Sequence, residues 1–167
     1  IIIEGVGGEG QEGINGVAIE TLEYDINNGI IKTISADDNI IIRGNGGTGI
    51  DIIESNGISI ANVELNAGKG ISMTGESGSS LDSDSFSFDK QLIGISIENS
   101  KIKVNSAESI TDYGNLLLIA EIGGESSNMI ENSSGIVIDG STLAVRGKIT
   151  AFGGGALNPL VSLNGVG

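Results

Sequence analysis

GISIENSKIKV, residues 94–104, and GIVIDGSTLAV, residues 135–145, share one spacing of apolar residues and almost none of the polar letters between. Each begins with Gly, then sets two aliphatic residues one position apart. After four further residues, two more apolar positions follow with the same alternation. The template also fits GVAIETLEYDI from Gly16 and GISIANVELNA from Gly57, so its copies start 37–41 residues apart. The apolar quartets are Val17, Ile19, Tyr24, Ile26; Ile58, Ile60, Leu65, Ala67; Ile95, Ile97, Ile102, Val104; and Ile136, Ile138, Leu143, Val145.

Period-2 alternation puts one face of a strand inward and the other outward. Each quartet therefore reads as two short strands joined by a turn rich in Asn or Gly, such as ENSK or DGST. Between quartets lies a second motif, an apolar strand followed by a Gly-rich corner: IIIEGVGGEG from Ile1, IIIRGNGGTG from Ile40, ISMTGESGSS from Ile71 and KITAFGGG from Lys148. The unit of about 40 residues then divides into two coils of about 20, within the range of solenoid repeats. One coil cannot bury its own apolar face, whereas stacked coils bury a continuous core. That explains the opening pair: inward letters are constrained and outward letters are free. The expected fold is all-β, a parallel β-solenoid of roughly eight coils and, at about 4.8 Å per coil, a rod near 40 Å long. Two segments break the period, residues 76–93 with Phe86 and Phe88, and residues 107–134; both are expected to carry inserted loops or hairpins.

Composition points the same way. The 167 residues include 29 Ile against 11 Leu and 8 Val, with 28 Gly and a single Pro. β-Branched residues favour strands, and the glycines supply tight turns that need positive φ. The best helical window, residues 104–122, is broken by Gly114. Eight basic residues against 22 acidic ones give a net charge of −14, which argues against nucleic acid and anionic membranes, because both need Lys and Arg to neutralise phosphate. No apolar run is long enough for a membrane-spanning helix. Cysteine is absent, so disulfides play no part. The chain begins IIIEG without Met or a signal-peptide pattern, and both ends, III at residues 1–3 and LNPLVSL at 157–163, look uncapped. It reads as one segment of 167 residues excised from a longer repetitive protein.

The stretches GISIANVELNAGKGISMTGESG, GIVIDGSTLAVRGKITAFGGG and IIIRGNGGTGIDI resemble the coils of haemagglutinin-like exoproteins of bacterial two-partner secretion, the filamentous haemagglutinin and high-molecular-weight adhesin family. The resemblance covers most of the chain outside the two inserted segments. It implies a right-handed parallel β-helix, exported through an outer-membrane secretion partner and displayed at the bacterial cell surface or released. Its implied role is a structural or adhesive shaft that presents binding loops to a host or bacterial receptor or glycan, and the lack of Cys suits such a route. The stick of a contact-dependent toxin-delivery exoprotein has the same architecture and would be followed by a toxin domain. The family's Asn-rich secretion domain is not evident in these residues.

Parallel β-helices also host carbohydrate-active enzymes, which use clustered Asp with His, Arg or Lys across neighbouring coils. Asp37-Asp38 is the only adjacent Asp pair, there is no His, and aromatic residues are 3% of the chain. Paired carboxylates can run glycoside hydrolysis, but this pair reads as a turn. GGTGIDIIE, residues 46–54, matches a calcium nonapeptide once, with Asp51 at the acidic position. That motif works in tandem, and no tandem copy follows, so it reads as a Gly-rich corner. DSDS at residues 82–85 reads as a solvated acidic loop, and Asn132-Ser133-Ser134 is a lone glycosylation sequon. The expectation is therefore no catalytic, cofactor-binding or metal-binding residue and no cofactor.

Overall fold

A computed structural model describes residues 1–10, 14–21, 32–49, 52–80, 91–105, 114–123, 133–154 and 161–164. Among these the secondary structure is entirely β: β1 (Ile2–Val6), β2 (Val17–Glu20), β3 (Lys32–Ala36), β4 (Asn39–Asn45), β5 (Thr48–Gly49), β6 (Glu54–Ala61), β7 (Val63–Ala67), β8 (Gly70–Glu76), β9 (Ser79–Ser80), β10 (Gln91–Glu98), β11 (Lys101–Val104), β12 (Asn115–Glu121), β13 (Ser134–Asp139), β14 (Thr142–Val145), β15 (Ile149–Gly153) and β16 (Val161–Asn164). Sheet 1 runs β1-β4-β8-β12-β15, sheet 2 runs β2-β6-β10-β13-β16 and sheet 3 runs β3-β7-β11-β14, with β5-β9 as a short extra pair. Every pairing is parallel. Leaving aside that extra pair, the chain visits sheets 1, 2 and 3 in unbroken rotation.

Register shows what the repeat is. Ile2 pairs with Ile41, Val17 with Ile58, Ile95 with Ile136 and Lys101 with Thr142. Neighbouring strands are thus about one whole unit apart in sequence, so the forty-residue unit is a single circuit of three strands. The expected division into two coils of about 20 residues does not hold, and sheets 1 and 2 have five strands rather than roughly eight coils. The physical reason is that the two apolar motifs of a unit lie side by side around one core instead of one above the other.

Inward positions stack as columns. In sheet 2 they are Val17, Ile58, Ile95, Ile136 and Ile19, Ile60, Ile97, Ile138. In sheet 3, Ile34, Leu65, Ile102, Leu143 stand beside Ala36, Ala67, Val104, Val145. Sheet 1 contributes Ile40, Ile71, Leu116 and Ile3, Ile42, Met73, Leu118, Ala151, while Ile149, the register partner of Leu116 on β15, is exposed. Residues of all three sheets form one buried cluster. A small satellite core of Ile14, Ile52 and Leu92, joined by Ile122, fills the corner between sheets 1 and 2.

Three sequence expectations change. Leu65 and Ala67 pair with Ile34 and Ala36, not with Tyr24 and Ile26, which lie outside the described residues. The chain between β2 and β3 is lengthened, so constant spacing fails there. Residues 107–134, expected as loops or a hairpin, contain β12, a regular strand of sheet 1 paired in parallel with β8 and β15. Likewise 91–93 of the 76–93 segment belong to β10, while Phe86, Phe88 and the rest of residues 81–90 lie outside the described residues. Finally, most of the described glycines serve room rather than φ.

That last point concerns the corner from sheet 1 to sheet 2. Gly5, Gly44, Gly75, Ala120 and Gly153 form one column at the end of sheet 1. Gly16, Gly57, Gly94 and Gly135, the leading letters of the repeat, lie against it. A Cβ on Gly44 would fall on the Gly57 carbonyl, and one on Gly57 would lie 2.6 Å from the carbonyl oxygens of both Glu76 and Gly94. Among the described residues positive φ is instead confined to the corner from sheet 2 to sheet 3, at Asn62 (56°), Asn99 (46°) and Gly140 (55°). Asn and Gly are the residues that enter this region at least cost. Beside them, buried Ser100 accepts from the Val63 amide at 3.1 Å, and buried Ser141 accepts from the Ser100 amide at 3.0 Å. Each hydroxyl satisfies an amide of the preceding circuit that would otherwise be buried without a partner.

Ile97 and Ile138 are register partners and buried, while Glu98 and Asp139 are exposed. Ile97→Asp is expected to lower unfolding free energy by at least about 3 kcal/mol in urea titration, and Asp139→Ser to change it by less than about 0.5 kcal/mol. Equal effects at both would contradict the register. At the glycine corner, Gly57→Val is expected to cost about 3 kcal/mol or prevent folding. Gly8→Ala, where an added Cβ meets nothing within 4 Å, should stay within about 0.5 kcal/mol.

Candidate functional site

Asp37 and Asp38 form the exposed turn from β3 to β4. Asp38 accepts from Asn39 Nδ2 at 3.1 Å and pairs with Lys69 Nζ at 3.2 Å. Lys69 belongs to the next circuit, so the pair ties two turns together. A Cβ on Gly68, also in that next turn, would strike the Asp37 carbonyl, which is why the turn below carries glycine. No third acidic group joins them; among the described residues no three His, Cys, Asp or Glu side chains are grouped to hold a metal. The Asp pair thus sits in a turn, as its sequence context suggested.

The corner holding Gly46 and Gly47 is built from hydrogen bonds between circuits. Gly46 N donates to Glu76 O at 2.7 Å and Gly47 N to Ile14 O at 3.1 Å. Buried Ser55 donates to Ile14 O at 2.9 Å and accepts from Gly78 N at 3.1 Å. Gly123 N donates to Ser77 Oγ at 3.0 Å. These amides and hydroxyls are therefore engaged in holding the corner together, while Oδ1 of buried Asn56, beside Ser55, has no hydrogen-bond partner. Asp51, the DSDS stretch at 82–85 and Asn132 lie outside the described residues.

Arg43, on the outward side of β4, forms an ion pair with Glu4 of β1, its register partner. It is thus engaged across two strands of sheet 1. The outward side of that sheet also carries a shallow notch of about 260 Å³. Gly70 and Ser72 of β8 lie between Asn39 and Ile41 of β4 and Asn115 and Leu117 of β12. The small pair leaves a strand-wide dip between larger neighbours. Sequence reading missed it because it appears only when three strands are aligned; a Gly-x-Ser alternation in one strand carries no such signal.

The Gly46–Glu54 corner gives a direct metal test. EDTA is expected to leave the melting temperature unchanged. A bound ion at one hundred times its dissociation constant would add about 2.7 kcal/mol, or about 2–4 °C for a chain of this size. A calcium-dependent rise that disappears in Asp51→Ala would show a true metal site.

No protein-family model matches the chain, and no curated protein or solved structure gives a significant match.

Proposed function

We propose that the chain is a right-handed parallel β-solenoid segment, a non-catalytic structural and adhesive shaft of a secreted bacterial surface exoprotein of the two-partner type. The observation that supports it is the rotation of the chain through three parallel sheets in matched register. Crossovers between parallel strands of one sheet are right-handed in nearly all proteins, which gives the hand. A stack of this kind grows by adding circuits, since each contacts only its neighbours. Such growth extends reach without redesigning a core, the property that a shaft requires.

The outward letters fit the same role. Aligned outward positions on sheet 3 run Thr33, Glu64, Lys101, Thr142. Their chemistry varies while the inward columns stay aliphatic, as expected of a scaffold whose surface is free to carry recognition. In this reading an outer-membrane secretion partner exports the chain, and the partner at the surface is a host or bacterial receptor or glycan.

Antibody raised against the purified chain is expected to label intact, unpermeabilised source cells or to find the protein in their medium. Labelling that requires permeabilisation, with none in the medium, would sink the surface assignment. In-frame deletion of the segment should leave export intact and reduce attachment; loss of a hydrolase or lyase activity on polysaccharide instead would assign an enzyme.

A further inference from the structure

We propose that the outer face of sheet 1 pairs with the same face of a second copy of this chain, each copy seating its Phe152 in the other's notch above Gly70 and Ser72. Alternation decides which residues leave the core on this sheet. Its outward positions include Ile2, Ile41 and Leu117 along one column, and Ile119 with Phe152 along the next. Six large hydrophobic residues are exposed among the described residues, and three of them, Ile2, Val6 and Phe152, project from this face. The matching outward column of sheet 3, Thr33, Glu64, Lys101 and Thr142, holds no large apolar side chain. The apolar letters of sheet 1 are therefore not a requirement of the stack, whose core they never enter. Contiguous exposed apolar surface of this kind marks an interaction face.

The face carries one hole and one knob. The hole is the notch of about 260 Å³ on β8, between the aliphatic walls of Ile41 and Leu117. It has room for a benzyl group. The knob is Phe152, 61% exposed and the one aromatic residue among the described residues. It stands on β15, two strands from β8, and two residues further along its strand than the register partner of Ser72. Knob and hole are thus about 10 Å apart across the sheet and about 7 Å apart along it. A two-fold axis lying in the interface, at right angles to the line that joins them, exchanges the two. Each Phe152 then meets the other copy's notch, and one patch is used twice, as an isologous contact requires. The strands of the two copies cross steeply, near the orthogonal class of sheet packing. A second copy is the partner that brings a knob at the required distance from its own hole.

Charge permits the approach. Arg43 is neutralised by Glu4 on the same face, and Ser72, Thr74 and Thr150 beside them are uncharged. Glu76 and Glu121 stand at the rim, on the last residues of β8 and β12. Repulsion between two chains of net charge −14 is screened beyond a Debye length of about 8 Å at physiological salt. Area sets the strength. The five strands have five or seven residues each, which gives a face of roughly 24 Å by 20 Å. Two such faces cover about 1,000 Å² in total, just short of the roughly 1,200–2,000 Å² of stable complexes. The dimer is therefore weak, with a dissociation constant in the micromolar range, and its aromatic anchors dominate what holds it. Pairing of this kind depends on the stack alone, and on neither export nor adhesion.

Sedimentation equilibrium of the purified chain in 150 mM NaCl, from about 1 to about 300 μM, tests it. Monomer and dimer are expected and nothing larger, with the dimer tighter in 300 mM than in 50 mM salt because repulsion is screened. Phe152→Ser removes the knob and Ser72→Leu fills the hole, and each should weaken the dimer at least tenfold. Mixed in equal amounts, the two variants should associate more tightly than either does alone, because the Phe152 kept by one fits the notch kept by the other. Lys101→Ser on sheet 3 should leave the dimer unchanged. Circular dichroism checks that each variant is folded. A chain that stays monomeric at about 300 μM overturns the proposal, and so does a folded Phe152→Ser variant that dimerises as tightly as the parent. Association that runs past the dimer would be growth at open strand edges, and a mixture no tighter than its components would show that Phe152 and the notch do not meet; either result overturns it too.

Discussion

The stack depends on the backbone contact where sheet 1 hands over to sheet 2. Gly5, Gly44 and Gly75 approach so closely that an added Cβ on each would fall on the carbonyl of Gly16, Gly57 and Gly94, respectively. Interiors are packed too densely to absorb such overlap without moving whole strands. With the pinch in place, the strand on each side aims its inward residues at one cluster: Ile42 and Ile58 in one circuit, Met73 and Ile95 in the next. Ala120 is the one methyl in the column, and it faces Gly94, whose added Cβ would lie 2.7 Å from it. Across this corner the column accommodates a side chain on one partner only where the other has none.

The three corners of a circuit solve different problems and so use different residues. From sheet 1 to sheet 2 the constraint is room, and glycine supplies it. From sheet 2 to sheet 3 the constraint is a sharp reversal, met by positive φ at Asn62, Asn99 and Gly140. There the amides still bond to the next circuit: Asn62 N reaches Glu98 O at 3.1 Å, and Asn99 N reaches Asp139 O at 3.0 Å. From sheet 3 to sheet 1 the turn is exposed and takes charge, as at Asp38, Lys69, Arg146 and Lys148. Since the first two corners are fixed by backbone geometry, the third is where composition can drift without disturbing the core.

How much of this was legible in the sequence follows from which code each residue obeys. Columns such as Ile58, Ile95 and Ile136 were readable because burial restricts them to aliphatic residues and the alternation is local. The third strand of the first circuit was not, because LEYDI and KTISA both alternate, and only pairing distinguishes Ile34 from Ile26. The strand 115–121 was hidden because Ala120 replaces the glycine by which its equivalents are recognised. The Asp pair at 37–38 could be assigned to a turn from its neighbours. The ion pair of Lys103 with Glu64 could not be seen at all: the two are far apart in sequence, and only the pairing of β11 with β7 brings them together.

Register partners are not evenly spaced. Val161 follows Ile136 by 25 residues, whereas Asn115 follows Gly70 by 45. The strands are nevertheless paired in register in both places. The entropy of closing a flexible connection grows only slowly, by about 0.6 kcal/mol for each doubling of length, so the stack absorbs longer excursions at small cost once the core side chains of a circuit are in place. Core and surface therefore change under separate constraints. A lost inward isoleucine weakens two interfaces at once, while an outward change, or a longer connection, is felt only where it stands. Nothing in the packing of Ile102 or Val104, both fully buried, depends on whether Lys101 and Lys103 beside them are basic. The charge carried by β11 is then set at the surface and not by how the core is built.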